Sequence, residues 1–281
     1  MNNIEKMWIF YNDSDEKKIL SYLKLLLSQF IVRLSYPLVG VSVMLGLWWL
    51  GGYLIAINPD TESFSDFSPV PAFLRLMELL DNGYVLGAAL PSLERIGYGL
   101  LWAVILGVPV GVAVGLYSIV NNITNIPFQF LRMISPLAWM PIAVLAFDSW
   151  DDAIIFLILM AAIWPVLFST AQGVRRIDPL WFKVAKNLGA EGHQMLRRII
   201  FPAIAQDIFA GIRLAVGVAW VVLVPAEYLG VTSGLGYAIN DARDTLEYDT
   251  LAAMVVVIGI IGFALDAACV YLIKKFSWHH E

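Results

Sequence analysis

Residues 186–203 read "KNLGAEGHQMLRRIIFPA". Two adjacent arginines, a lysine, a glutamate and one of only three histidines sit together here. They interrupt a chain that is 59% hydrophobic, and long apolar runs flank them on both sides. A polar, glycine-punctuated stretch between such runs is a connection between membrane spans. The rest of the composition agrees. Charged residues make up 15% of the 281, whereas about a quarter of a soluble domain is charged. The mean hydropathy is +0.74. The chain reads as an all-α integral membrane protein. A net charge of −5 does not point to nucleic acid, and the single cysteine, Cys269, excludes an internal disulfide framework. Residues 1–33 mix both charge signs with apolar residues, unlike a cleaved signal peptide, so the N-terminus is expected to be retained.

A helix crossing about 30 Å of hydrocarbon needs roughly 20 apolar residues. Six segments qualify: Pro37–Ile57, Gly97–Tyr117, Ile123–Phe147, Ala153–Gln172, Ala203–Leu229 and Leu251–Ile273. The third is interrupted by Arg132, Pro136 and Pro141; the fifth contains Asp207 and Arg213; the sixth contains Asp266. With the N-terminus placed in the cytoplasm, thirteen of the eighteen Lys and Arg fall on the inner side and three, Arg75, Arg95 and Arg243, on the outer side. That bias puts both termini inside. Residues 1–36 then form a cytoplasmic segment in which 15–33 read as an amphipathic surface helix. Residues 58–96 form an acidic outer loop in which "PAFLRLMELL" (71–80) reads as a short amphipathic helix, and residues 173–202 form the largest cytoplasmic loop.

In that loop Asp178 can cap a helix that has Pro179 at its first position. The helix should run over 179–188 and end at Gly189 in a left-handed conformation. A second helix over 191–200 should stop before Pro202. Two short helices joined at Gly189 would then face the cytoplasm. Periodicity alone leaves two roles open, lying on lipid headgroups or docking a cytoplasmic partner.

The spacing resembles the Glu-Ala-Ala loop of bacterial ABC-importer permeases. With the pattern's glycine on Gly189, Lys183, Val184 and Ala185 take its first three positions. Ala190 follows the glycine, and Ile199, Phe201 and Pro202 take the closing Ile, Leu and Pro positions. Lys183, Val184 and Phe201 depart from the pattern. The resemblance extends through "GVPVGVAVGL" (107–116), "SPLAWMPIAVLAF" (135–147), "GIRLAVGVAWVVLVPAEYLG" (211–230) and "GLGYAINDARDTL" (234–246), which are similar to the nitrate, sulfonate, taurine and bicarbonate permeases. It implies a single permease domain over 1–281 with the six-helix fold of type I importers. It implies a dimer, of identical chains as relatives of this kind usually are, in the bacterial inner membrane. It also implies two cytoplasmic ATP-binding subunits that hold ATP and magnesium and grip these loops, and a periplasmic binding protein that delivers a small anion. A vitamin precursor or an amino acid is the alternative solute. This chain is then no enzyme and carries no cofactor. No lysine follows a glycine, so there is no Walker A cradle, and no span holds a nucleophile–base pair that would support an intramembrane enzyme.

Several further residues are candidates. Gly107, Gly111 and Gly115 share one helix face and favour close helix packing. Arg132, Arg213 and Asp266 lie at membrane depth, about 12–15 Å from the cytoplasmic side at 1.5 Å per residue. One basic and one acidic member can pair, Arg213 with Asp266 or, in its place, Arg132 with Asp266, and a structural ion pair is favoured over contact with an anion. Trp139 and Trp220 either line the path or fill the core. The resemblance puts Glu227 near the path, as a gate or scaffold. His193, His279 and His280 lie outside the spans and suggest no metal site.

Overall fold

The computed structural model describes residues 35–276. The expected helix over 15–33, and His279 and His280, lie outside the described residues. The described residues divide into two compact units, one up to Val70 and one from Pro71 onward.

In the first unit, α1 (Ser35–Ile57) is long and apolar enough to cross a membrane. A 3₁₀ turn at Glu62–Phe67 follows. There the Trp48 indole donates to the Phe67 carbonyl at 2.8 Å.

The second unit is built from α2 (Pro69–Asp81), α3 (Tyr84–Leu116), α4 (Ser118–Met133), α5 (Met140–Ala146), α6 (Trp150–Arg176), α7 (Pro179–Asn187), α8 (His193–Gly230), α9 (Leu235–Asp244) and α10 (Tyr248–Phe276). α3, α6, α8 and α10 are each long and apolar enough to span. α4 and the 136–146 segment pass that test together but bend by 89° at the break, the geometry of a broken span or of a re-entrant loop. With α1 the described residues hold five candidate spans, or the six expected from the sequence if the bent pair counts as one.

α6 is the centre. Ile154, Leu157, Ile158 and Val166 are fully buried on it, clasped by Ile96 and Ala103 of α3 and by Ala215, Ala219 and Leu223 of α8. α3 and α6 run parallel, because Gly99 meets Ile158, Gly107 meets Val166, Gly111 meets Thr170 and Gly115 meets Val174. At Gly111 an added Cβ would lie 2.6 Å from the Leu167 carbonyl oxygen. The glycine stripe thus brings two backbones together, as its spacing predicts. α6 begins at a reciprocal cap: Ser149 Oγ accepts from the Asp152 N–H at 3.1 Å and donates to its carboxylate at 2.7 Å. A second cluster joins Leu76 and Leu79 of α2 to Leu235 of α9 and Met254 of α10. Beside it Arg75 bonds Glu78 and Thr250, both at 2.9 Å, and the Glu78 carboxylate raises its pKa.

Two expected boundaries are corrected. Residues 84–96 are not loop but the first turns of α3, so Arg95 lies in a helix and is 4% exposed. Ser92, Glu94 and Arg95 break the apolar run, yet helical geometry persists because partners elsewhere neutralise Arg95. The helix over 191–200 does not stop before Pro202 but continues as α8. Its turn at Leu196–Ile200 is a wide π turn, with the Phe201 N–H donating to the Leu196 carbonyl. The wide turn immediately precedes Pro202, which has no N–H to give.

Candidate functional site

The connection between α6 and α8 is built from local signals. The Asp178 carboxylate accepts from the Leu180 N–H at 2.8 Å and caps α7, with Pro179 in its first turn. At the other end the Gly189 N–H donates to Lys186 O and the Ala190 N–H to Ala185 O, both at 2.9 Å. Gly189 has φ +78. That pair of bonds is a Schellman motif, and it needs the left-handed residue. Gly192, at φ +48, makes a second positive-φ joint three residues later. Of the expected coupling residues, Ala185 is buried, Ala190 and Ile199 are half-buried, and Lys183, Val184, Gly189 and Pro202 are exposed. The outward face of α7 also carries Leu180, Trp181 and Leu188, exposed by 59%, 56% and 82%. Those three were not singled out in the sequence. Their signal is that "PLWFKVAKNL" is apolar on more than one face of a helix only nine residues long.

At the opposite end of α8, Glu227 is completely buried. Its carboxylate accepts from Arg95 Nη1 at 2.6 Å, Ser92 Oγ at 2.8 Å and the Gly236 N–H at 2.9 Å. Arg95 also holds Asp151 at 2.6 Å and donates to the carbonyl and hydroxyl of Ser233 at 3.0 and 2.8 Å. The Ser92 hydroxyl in turn accepts from the Leu235 N–H at 2.9 Å. The turn before α9 wraps this carboxylate closely. A Cβ at Gly234, whose φ is +111, would lie 2.5 Å from the Glu227 carboxyl carbon. One at Gly236 would strike the Val224 carbonyl. The network ties α3, α6, α8 and α9 together, and no carboxylate oxygen of Glu227 faces open space. Ser92, Arg95, Asp151 and Ser233 went unrecognised in the sequence, because their pairing runs between segments up to 143 residues apart.

Arg213 and Asp266 meet in a bidentate pair, Nε to Oδ1 at 2.7 Å and Nη2 to Oδ2 at 2.9 Å. The expected burial is not found. The two side chains, one on α8 and one on α10, are 47% and 49% exposed. Replacing either partner with Ala is expected to lower the yield of folded protein extracted from membranes, and replacing both to restore part of it. A double variant no better folded than the worse single one would show that the pair contributes nothing. Trp220 is half-buried and packs against both core clusters, close enough to α10 that a Cβ at Gly262 would lie 2.6 Å from its indole nitrogen. Trp139 is half-buried at the break between α4 and α5. Both tryptophans contribute to the core. Arg132 is exposed, in the last turn of α4, with its guanidinium 5.2 Å from the centre of the Phe168 ring.

The arrangement is one of stacked spans, a structural charge network at one end and a jointed, partly apolar helix at the other. The family model of the binding-protein-dependent transport system inner membrane component matches residues 99–278. The bicarbonate transport system permease protein CmpB of Synechococcus elongatus is 38% identical over 195 residues, covering 69% of both chains. The taurine transport system permease protein TauC of Escherichia coli is 32% identical, covering 86% of this chain and 88% of its own. A putative ABC transporter permease protein of Methanocaldococcus jannaschii is 31% identical, covering 89% and 92%. The chain belongs to the family of binding-protein-dependent transport system inner membrane components, in the group that contains the bicarbonate and taurine permeases.

Proposed function

We propose that two copies of this chain form the translocation path of an ATP-driven importer for a small anion of the bicarbonate, sulfonate or nitrate class. A periplasmic binding protein delivers the solute. Two ATP-binding subunits, which hold ATP and magnesium, dock on the 178–202 connection. Both termini and α7 then face the cytoplasm of a cell with its path in the inner membrane. The observation that carries the reading is the outer face of α7. Leu180, Trp181, Val184 and Leu188 expose a contiguous apolar surface on a short, capped helix between two spans. An exposed apolar surface of this kind marks a protein interface, and the same connection carries the exposed cations Lys183, Lys186, Arg197 and Arg198. The small-anion solute rests on what the bicarbonate and taurine relatives are named for.

The test is uptake into vesicles carrying the reconstituted complex, with labelled taurine, bicarbonate and nitrate offered separately. ATP-dependent accumulation of one of them supports the reading. Accumulation of an amino acid or a vitamin precursor instead, with none of the anions, would overturn the anion class. Gly189→Val is expected to insert normally, because no span changes, and to lower uptake several-fold. No atom lies within 4 Å of a Cβ at that position, so the effect comes from the backbone. A β-branched residue at φ +78 costs about 1 kcal/mol or more. Uptake at the unsubstituted rate, at equal expression, would remove the joint from the mechanism.

A further inference from the structure

α4 is amphipathic in a reversed sense. Ile119, Ile123, Ile126, Phe130 and Met133 form an exposed apolar stripe. Asn121, Asn125, Gln129 and Arg132 recur at the complementary helical spacing, on the side where Asn121 bonds Arg175 and Arg132 meets Phe168; Asn125, Gln129 and Arg132 remain exposed. There they line a groove of about 390 Å³ with Val114 of α3 and with Phe168, Gln172 and Arg175 of α6. Polar side chains within a membrane turn toward protein or water rather than lipid. The groove follows α4 from Asn121 to Arg132, roughly 16 Å at 1.5 Å per residue, ending where the chain bends by 89°.

The charge in the groove is unbalanced. Arg95 is held by Glu227 and Asp151, Arg176 by Asp207 at 3.1 Å, and Arg213 by Asp266. The two groove arginines have only neutral partners among the described residues. Arg175 donates to Asn121 Oδ1 at 2.5 Å and approaches the Val114 carbonyl at 3.4 Å. Arg132 stacks on Phe168. None of the residues lining the groove is Asp or Glu. Both guanidiniums are exposed, so the groove keeps two accessible positive charges with no carboxylate beside them. Elsewhere the chain supplies a counter-charge as a carboxylate; here it supplies amides, which can donate to an oxyanion while the guanidiniums neutralise it.

We infer that the groove between α3, α4 and α6, with Arg132 and Arg175 at its two ends, binds the oxyanion group of the small solute on the cytoplasmic half of its route. The inference rests on the importer reading for its solute and its direction. An anionic lipid phosphate offers the same chemistry, and the experiment separates the two sources.

The full complex is prepared with Cys269→Ala and a single reporter, Gln129→Cys, in vesicles of phosphatidylcholine alone and in vesicles rich in phosphatidylglycerol. The probes are methanethiosulfonate reagents of opposite charge, the ethylsulfonate and the ethyltrimethylammonium forms. Each rate is divided by that reagent's rate with a free thiol. A cleft lined by charge of one sign raises the local concentration of the opposite ion tenfold or more, so the sulfonate should be favoured on the order of tenfold. Arg132→Gln should bring the ratio near one, and Arg132→Lys should keep most of it. The same preference in both lipids supports a solute site. A preference that disappears in phosphatidylglycerol-rich vesicles shows a lipid phosphate in the groove and overturns the solute site. Equal rates for the two reagents, or no reaction with either, overturn the groove as an anion site. Uptake of anion by the parent Cys269→Ala complex is measured alongside. Uptake without a charge preference means that the groove assignment fails while the importer reading stands. A charge preference without uptake of any anion means that the importer reading fails, and the solute assignment with it.

Discussion

Arg95→Ala is expected to destabilise the folded chain by on the order of 3–5 kcal/mol, the cost of leaving a buried charge without its partner. Glu227 is completely buried, and Arg95 is its only charged partner among the described residues. Removing the guanidinium leaves a carboxylate held by one hydroxyl and one N–H. It also frees Asp151 and both Ser233 oxygens. The turn at Gly234, which closes on this carboxylate, should loosen with it. Glu227→Ala should cost a similar amount from the other side. Arg95→Met with Glu227→Leu should recover part of the loss, because no lone buried charge remains. Thermal unfolding of the detergent-purified protein, followed by the monodisperse fraction on size exclusion, reads this directly. An Arg95→Ala protein as heat-stable as the parent would show that the network holds nothing together.

Gly111→Leu should be the most damaging single change along α3. The added atoms meet a backbone oxygen, Leu167 O, and the branched Thr170, rather than a flexible side chain. Backbone cannot give way without moving α6, which supplies seven of the seventeen residues of the main buried cluster. Overpacking typically costs 1–3 kcal/mol, and a clash with backbone should lie at or beyond the upper end of that range. Gly97→Leu is the control, because nothing lies within 4 Å of a Cβ there. The same unfolding assay should show a large loss for Gly111→Leu and little change for Gly97→Leu. Equal behaviour of the two would mean that α3 and α6 do not meet through the glycine stripe.

The spans were legible because hydrocarbon thickness sets their length and because the apolar runs are long. Gly189 was legible too, since a helix stop followed by the left-handed residue is a local pattern. Arg95 was misread for the converse reason. A hydropathy reading ends a span at a charge, whereas the folded chain begins α3 eleven residues before Arg95 and neutralises that charge with Glu227, 132 residues away. Pro202 misled in a similar way. Proline usually marks a helix boundary, but here a π turn ends just before it and α8 continues. The Arg213–Asp266 contact could be guessed from depth, yet its exposure could not, because periodicity does not say which face of α8 meets α6. The polar stripe of α4 was hidden inside a segment read simply as an interrupted span.

The central claim is that the 178–202 connection is the joint through which an ATP-binding subunit moves the spans. Cross-linking tests it most directly. In a Cys269→Ala background, one cysteine is placed at Leu188, on the exposed face of α7, and the complex is treated with a short bifunctional thiol reagent with and without ATP. The account predicts a cross-linked product with the ATP-binding subunit whose yield changes when ATP is added. A cysteine at Leu86, exposed near the start of α3 at the far end from α7, should give no such product. No product from the α7 position, or the same yield from both positions, would contradict it.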